Sequence, residues 1–240
     1  MINLIHVNYI FLYYNIKNNN IKIQMAIIIY FHVCQKGEWK RSFTMIMNKI
    51  KESGLYNNVD EIRCGVINDT GILITDPLLN DPKIKIIHVG YSHEYERPTL
   101  LHMRNSIDIN TSMKYLYCHT KGIQWFGTRR ENYIIDWINL LIYWNIERWK
   151  DAVLELERYD TYGCNFWKNN INYPDHYSGN FYWVTSNHLS KLNKTIEPQY
   201  HAPEFWIFNT SQSYNYYNAY STGLEAGAHY ENPYPAHLYK

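Results

Sequence analysis

Tyr115-Leu116-Tyr117-Cys118-His119-Thr120-Lys121-Gly122 decides the fold, because an apolar strand that begins at Met113 runs straight into a polar turn. A strand apolar at successive positions is buried on both faces, the condition of a parallel sheet covered by helices. In open sheets of that kind ligands lie beyond the carboxyl ends of the strands, so the His119-Thr120-Lys121-Gly122 turn is where chemistry is expected. Lysine supplies a point charge for a phosphate, and glycine lets the backbone approach it closely.

Working outward from that turn, strands alternate with helices. Ala26 to Val33 is a β-rich apolar run, and Glu38 to Glu52 follows with Trp39, Phe43, Ile46, Met47 and Ile50 at helical spacing, stopping at Ser53-Gly54. Glu61 to Ile67 and Ile84 to Val89 are the second and third strands, and Pro98 to Ile107 is a helix with proline in its first turn. After the polar turn come helices over Glu131 to Arg148 and Trp149 to Arg158, then strands over Thr161 to Phe166 and Asn180 to Val184. Trp167 to Gly179 is too long for a simple hairpin and reads as a binding loop, and Pro203 to Thr210 as a short helix. The tail from Ser211 to Lys240 lacks periodicity and is expected over the domain surface. The pattern predicts an α/β fold, a mainly parallel sheet flanked by helices.

The 240 residues suit a single domain, and a net charge of +1 provides no broad field for nucleic acid. Charge for a phosphate must therefore be local. The 24 Tyr and 8 Trp can wall a sugar or base site as well as fill a core. Cys34, Cys64, Cys118 and Cys164 are far apart with no metal-type spacing, so free thiols in a reducing, cytoplasmic setting are expected. Residues 1–24 read as an N-terminal extension. The stretch from Met1 to Ile16 is apolar but interrupted by His6, Asn8 and Asn15, too broken for a membrane span, and lacks a basic leader. Peripheral membrane contact through this extension is a lesser alternative. The working domain is expected over 25–240.

Three blocks in this order, Tyr115 to Gly122, His176-Tyr177-Ser178-Gly179-Asn180-Phe181-Tyr182-Trp183, and Ala202-Pro203-Glu204-Phe205-Trp206-Ile207, carry a resemblance. They are similar to a family of glycosyltransferase-like proteins with blocks YLHTKG, HFSGNFWW and AExW. Tyr30-Phe31-His32 and Ser53-Gly54-Leu55-Tyr56 extend it over most of the chain from Met25. The resemblance implies a GT-A-like (Rossmann-like) fold and transfer of a sugar from a nucleotide-diphosphate sugar to a glycan or glycoconjugate hydroxyl. A non-catalytic sugar- or nucleotide-binding relative is the alternative. A nucleotidyltransferase or α/β hydrolase is disfavoured, since neither an acid pair nor a G-x-S-x-G motif is present.

By that resemblance His32, His119, Thr120, Lys121 and Gly122 border the donor, while His176, Tyr177, Ser178, Gly179, Asn180 and Trp206 border the sugar and acceptor. Glu204, just after Pro203, is placed as the base that takes the acceptor proton in an inverting transfer. GT-A enzymes usually hold Mn or Mg with an Asp-x-Asp pair at the end of the fourth strand. Cys118-His119-Thr120 stands there instead, so Lys121 is expected to neutralise the diphosphate, with a metal held by His119 and a distant carboxylate as the other possibility. Glu94, Glu96 and Arg97 read as a solvated helix start, Arg97 being within reach of a phosphate, and Asp136 as an exposed helical acid. Phe181, Tyr182 and Trp183 alternate across a strand, with Tyr182 facing away from the other two and core filling the leading role for all three.

Overall fold

A computed structural model describes residues 26–108, 111–168, 173–225 and 227–240. The extension over 1–24 and residues 169–172 of the long loop lie outside the described residues. Strand β1 (Ile27–Cys34) is the axis of the molecule: Ile27, Ile29, Phe31 and Val33 enter one core, and Ile28 and Tyr30 enter the other. That alternation, without a polar face, puts β1 at the centre of a covered sheet.

Helix α1 (Trp39–Glu52) buries Trp39, Phe43, Ile46, Met47 and Ile50 as one stripe against the first core. It ends as its sequence predicts: Lys49 and Lys51 occupy the last turn, and Gly54 follows in the left-handed region at φ 77°. Strands β2 (Glu61–Asn68) and β3 (Ile84–Tyr91) extend the sheet in parallel on one side of β1. Helix α2 (Arg97–Asn105) buries Leu100 and Met103 on the opposite face from α1. It returns the chain to β4 (Lys114–His119), parallel to β1 on its other side.

Beyond β4 the long helix read from the sequence is divided. Helix α3 (Glu131–Ile142) passes into a π turn over Tyr143–Glu147 before α4 (Trp149–Glu155). The interruption has a use: the wider turn presents the Asn145 carbonyl to the buried Trp183 indole N–H at 2.7 Å. Short strands β5 (Thr161–Gly163) and β8 (Tyr182–Thr185) complete the expected set. A small ribbon of β6 (Phe166–Trp167) and β7 (His176–Tyr177) closes the base of the long loop. Phe181 and Trp183 enter the first core and Tyr182 the second, all fully buried, so these aromatics are core on both faces.

Two elements escape the sequence reading. Helix α5 (Ser186–Lys191) is started by the Thr185 hydroxyl, which accepts from the His188 N–H. The tail is not merely a surface cover: β9 (Tyr216–Asn218) joins the sheet in parallel with β5, and Tyr239 is buried. Asp136 ties the tail down by accepting from the Tyr234 N–H at 3.1 Å. The seven-stranded sheet has the order β3-β2-β1-β4-β8-β5-β9, with only β8 antiparallel to its neighbours. Among the described residues no helix is long and apolar enough to cross a membrane.

Candidate functional site

The chain leaves β1 for β2 on one side and comes back for β4 on the other, so strand order reverses between β1 and β4. A crevice opens outside the carboxyl ends of such a pair. Here it holds two adjoining cavities. One, of about 520 Å³, lies between Lys36-Gly37, the segment Ser92 to Glu96, and Thr120 to Trp125. The other, of about 200 Å³, lies among Lys121, Trp137, Ser178, Asn180, Glu204, Phe205 and the rings of Tyr173 and Tyr200. Glu96, His119, Lys121, Tyr200 and Tyr230 wall both.

The turn after β4 is held by its backbone and by the Thr120 hydroxyl, which leaves the Lys121 side chain to the crevice. Thr120 donates its N–H to the His32 carbonyl at 2.9 Å, and its hydroxyl accepts from Cys34 N–H at 2.9 Å. These bonds carry the β1–β4 pairing past the last ladder residues. Ser42 on α1 clasps Lys121 from both ends, its hydroxyl accepting from Lys121 N–H and donating to Lys121 C=O. Gly122 has φ 71°, and a Cβ there would lie 2.2 Å from Ile134 Cγ2. Gly122→Ala is expected to cost about 2–4 kcal/mol, combining a strained left-handed alanine with overpacking against α3. Urea unfolding checks this, and a loss below 1 kcal/mol would show that the turn is not held as described.

Lys121 is 8 % exposed, and its Nζ lies 4.0 Å above the Trp137 ring. Among the described residues no carboxylate lies within ion-pair distance of it. Burial holds its pKa below the ordinary lysine value, partly offset by the charges of Glu204 and Glu96. His119 stands beside it. Its Nε2–H donates to the Gly179 carbonyl at 3.1 Å, so Nδ1 carries the lone pair, which faces Glu96 Oε1 at 3.8 Å. Burial and the Lys121 charge push its pKa well down, and the ring is neutral.

Gly179 is the junction of the second cavity. At φ 97° it adopts a conformation open to glycine, and a Cβ would meet Leu141 Cδ1 at 2.8 Å. Its carbonyl accepts from His119, and its N–H donates to Glu204 Oε1 at 2.9 Å. Glu204 lies in the first turn of α6 (Ala202–Phe205), where its block places it, with Oε2 4.0 Å from His201 Nδ1. Asn180 follows at φ 56°, its side-chain Oδ1 buried and without a partner among the described residues. His176 lines the same cavity with its ring edge on Phe205, and its Nδ1 bonded to the Pro174 carbonyl at 2.8 Å.

Three sequence expectations are revised by where the side chains lie. His32 reaches the larger cavity, but it is 3 % exposed and bonded through Nδ1 to Thr99 Oγ1 at 2.8 Å. Burial pushes its pKa down to about 3, so it brings no cation to a phosphate. Tyr177 points into the second core, its hydroxyl donating to Tyr217 C=O at 3.0 Å. Trp206 fills the same core, with its indole N–H on the Asn193 carbonyl at 3.0 Å. Arg97, read as part of a helix start, folds back onto the carbonyls of Glu94 and His93.

Glu96 is the residue that the sequence reading passed over. Burial, reinforced by the Glu204 charge and opposed by its own backbone N–H and by Lys121, pushes its carboxyl up to about 7. Its position at the end of the turn after β3 follows the same strand-end rule that singled out Lys121, and that rule was the available signal. Among the described residues no three His, Cys, Asp or Glu side chains converge to hold a metal ion. His119 and Glu96 offer two donors beside the positive Lys121, a set that does not fit an oxygen-liganded divalent cation. No protein-family model matches the chain, and no curated protein matches it.

Proposed function

We propose that the chain is a glycosyltransferase that moves a sugar from a nucleotide-diphosphate sugar to a hydroxyl of a glycan or glycoconjugate. The observation that carries this reading is Lys121: a buried ammonium without an ion-pair partner among the described residues, at the point where two cavities meet. Burying a charge without a counter-charge is costly, and a bound anion relieves that cost. In this reading the diphosphate lies against Lys121, the nucleoside extends through the larger cavity, and the sugar enters the smaller one. Ser178 and Asn180 supply donor and acceptor atoms for sugar hydroxyls.

Glu204 takes the proton of the acceptor hydroxyl while that oxygen forms its bond to the anomeric carbon. The bond to the diphosphate oxygen breaks on the opposite side, inverting the centre. The Gly179 N–H holds one carboxylate oxygen and leaves the other to face the acceptor. A second reading, a binding module without turnover, draws on that same bond, because it gives Glu204 a structural duty. Incubation with common nucleotide sugars, with and without Mn or Mg, separates the two. Thermal stabilisation by a donor together with its hydrolysis or transfer supports the enzyme. Stabilisation without turnover of any donor supports the binding module, and no stabilisation by any of them rejects both.

A further inference from the structure

Glu96 and Glu204 are the carboxylates that line the cavities. Outside that lining, Asp69, Asp76 and Asp81 each have a lysine ammonium within ion-pair distance, at 2.9, 2.7 and 2.9 Å. Among the described residues no lysine or arginine comes that close to Glu96, and the basic atom that faces it is His119 Nδ1 at 3.8 Å. That nitrogen carries a lone pair while Nε2–H serves Gly179, so it offers an ionised Glu96 no hydrogen-bond donor. Tyr95 directly before it sits at φ 51°, a rare conformation for an aromatic residue that persists only where its surroundings enforce it. The turn therefore presents Glu96 to the crevice at a conformational cost.

Apart from Lys121, the groups around it bring one further negative charge and otherwise neutral atoms. Glu204 approaches from α6, and the thiol of Cys34 on β1 is pushed up partly by the Glu96 charge. Tyr117 on β4 and Tyr182 on β8 have buried hydroxyls without partners among the described residues, and burial together with the same charge keeps both neutral. The residue's own backbone N–H and the Lys121 charge favour the ionised form. A diphosphate would bring more negative charge into the space and occupy the lysine.

We propose that Glu96 takes up a proton from solvent when a diphosphate binds beside Lys121, and that its carboxyl O–H then donates to a diphosphate oxygen. The inference rests on the assignment of the diphosphate to Lys121. Uptake turns a repulsive carboxylate into a hydrogen-bond donor without a metal ion, and the proton returns to solvent when the diphosphate leaves.

Calorimetric titration of the full chain with UDP, GDP and ADP at pH 8, in two buffers of different ionisation enthalpy and without metal, tests it. A diphosphate that binds should draw on the order of one proton per site from the buffer, and Glu96→Gln should bind with that uptake lost. Equal uptake in Glu96→Gln, binding without uptake, or binding that requires Mg or Mn and releases protons would each overturn the proposal while leaving the diphosphate site in place. Failure of all three nucleotides to bind would overturn the diphosphate assignment and this inference with it. A ligand-free measurement covers the folding of the variant. The folded carboxyl keeps its proton up to about 7 and the unfolded one only to 4.5, so Glu96 lowers stability as pH rises through that window. Glu96→Gln should melt cooperatively and lose that decline, and an unchanged decline would count against the proposal.

Discussion

Lys121→Met is expected to weaken nucleoside-diphosphate binding about 100-fold while leaving the melting temperature unchanged or higher. A charge-assisted hydrogen bond to a buried anion contributes about 1.5–3 kcal/mol, and each 1.4 kcal/mol is tenfold in affinity. Methionine keeps the stem length and can rest its sulfur against the Trp137 ring that now lies under the ammonium. The variant therefore removes a buried charge that has no ion-pair partner among the described residues without opening a large void, and the desolvation cost it relieves is expected to outweigh the lost attraction to Glu96 and Glu204. Such an exchange of stability for function is common at binding sites. Calorimetry and a thermal melt on one sample decide the matter. Parent-like affinity would remove the diphosphate from Lys121, and a drop of several degrees would make the lysine a structural residue.

Glu204→Gln is expected to reduce sugar transfer 10²- to 10⁴-fold with donor affinity unchanged, the span usual for losing a positioned general base. Glutamine retains an acceptor oxygen for the Gly179 N–H, so the junction between α6 and the preceding loop should survive. Glu204→Ala breaks that bond as well and should lower both transfer and melting temperature, separating the proton-accepting duty from the tethering one. Transfer and donor binding measured on both variants check this. Full transfer by Glu204→Gln would rule out the base assignment.

The central fold was legible because burial on both faces leaves a plain mark: β1 and β4 are apolar at nearly every position, and α1 carries its stripe and its terminal glycine. The sheet edge was not. Tyr216 to Asn218 is three residues long and only half-buried, too short for alternation to register. The π turn was hidden because Tyr143 to Glu147 continues the helical spacing, and only the distant Trp183 explains why the backbone widens there. In the site, the backbone-built parts were readable, namely the Thr120-Lys121-Gly122 turn and the Ser178-Gly179-Asn180 bend. Individual side-chain directions were less so. Tyr177 and Trp206 sit within blocks that border the cleft, yet neighbouring residues on such short elements face opposite ways, and these two face the core. Glu96 was overlooked because a charged residue before a proline-started helix is ordinarily solvated, and only the return of α6 and the tail encloses it.

Gly179 has one consequence of a different kind. Its two flanking peptide groups point outward in different directions, one reaching His119 and the other Glu204, so the separation of those side chains is gauged by two torsions at a single α-carbon. Surrounding loops can lengthen, shorten or exchange their rim residues without altering that gauge. The rim of the smaller cavity, with Tyr173, Tyr200 and Phe205, is built apart from that gauge, while the span between the two sides of the crevice is set by two hydrogen bonds to one residue.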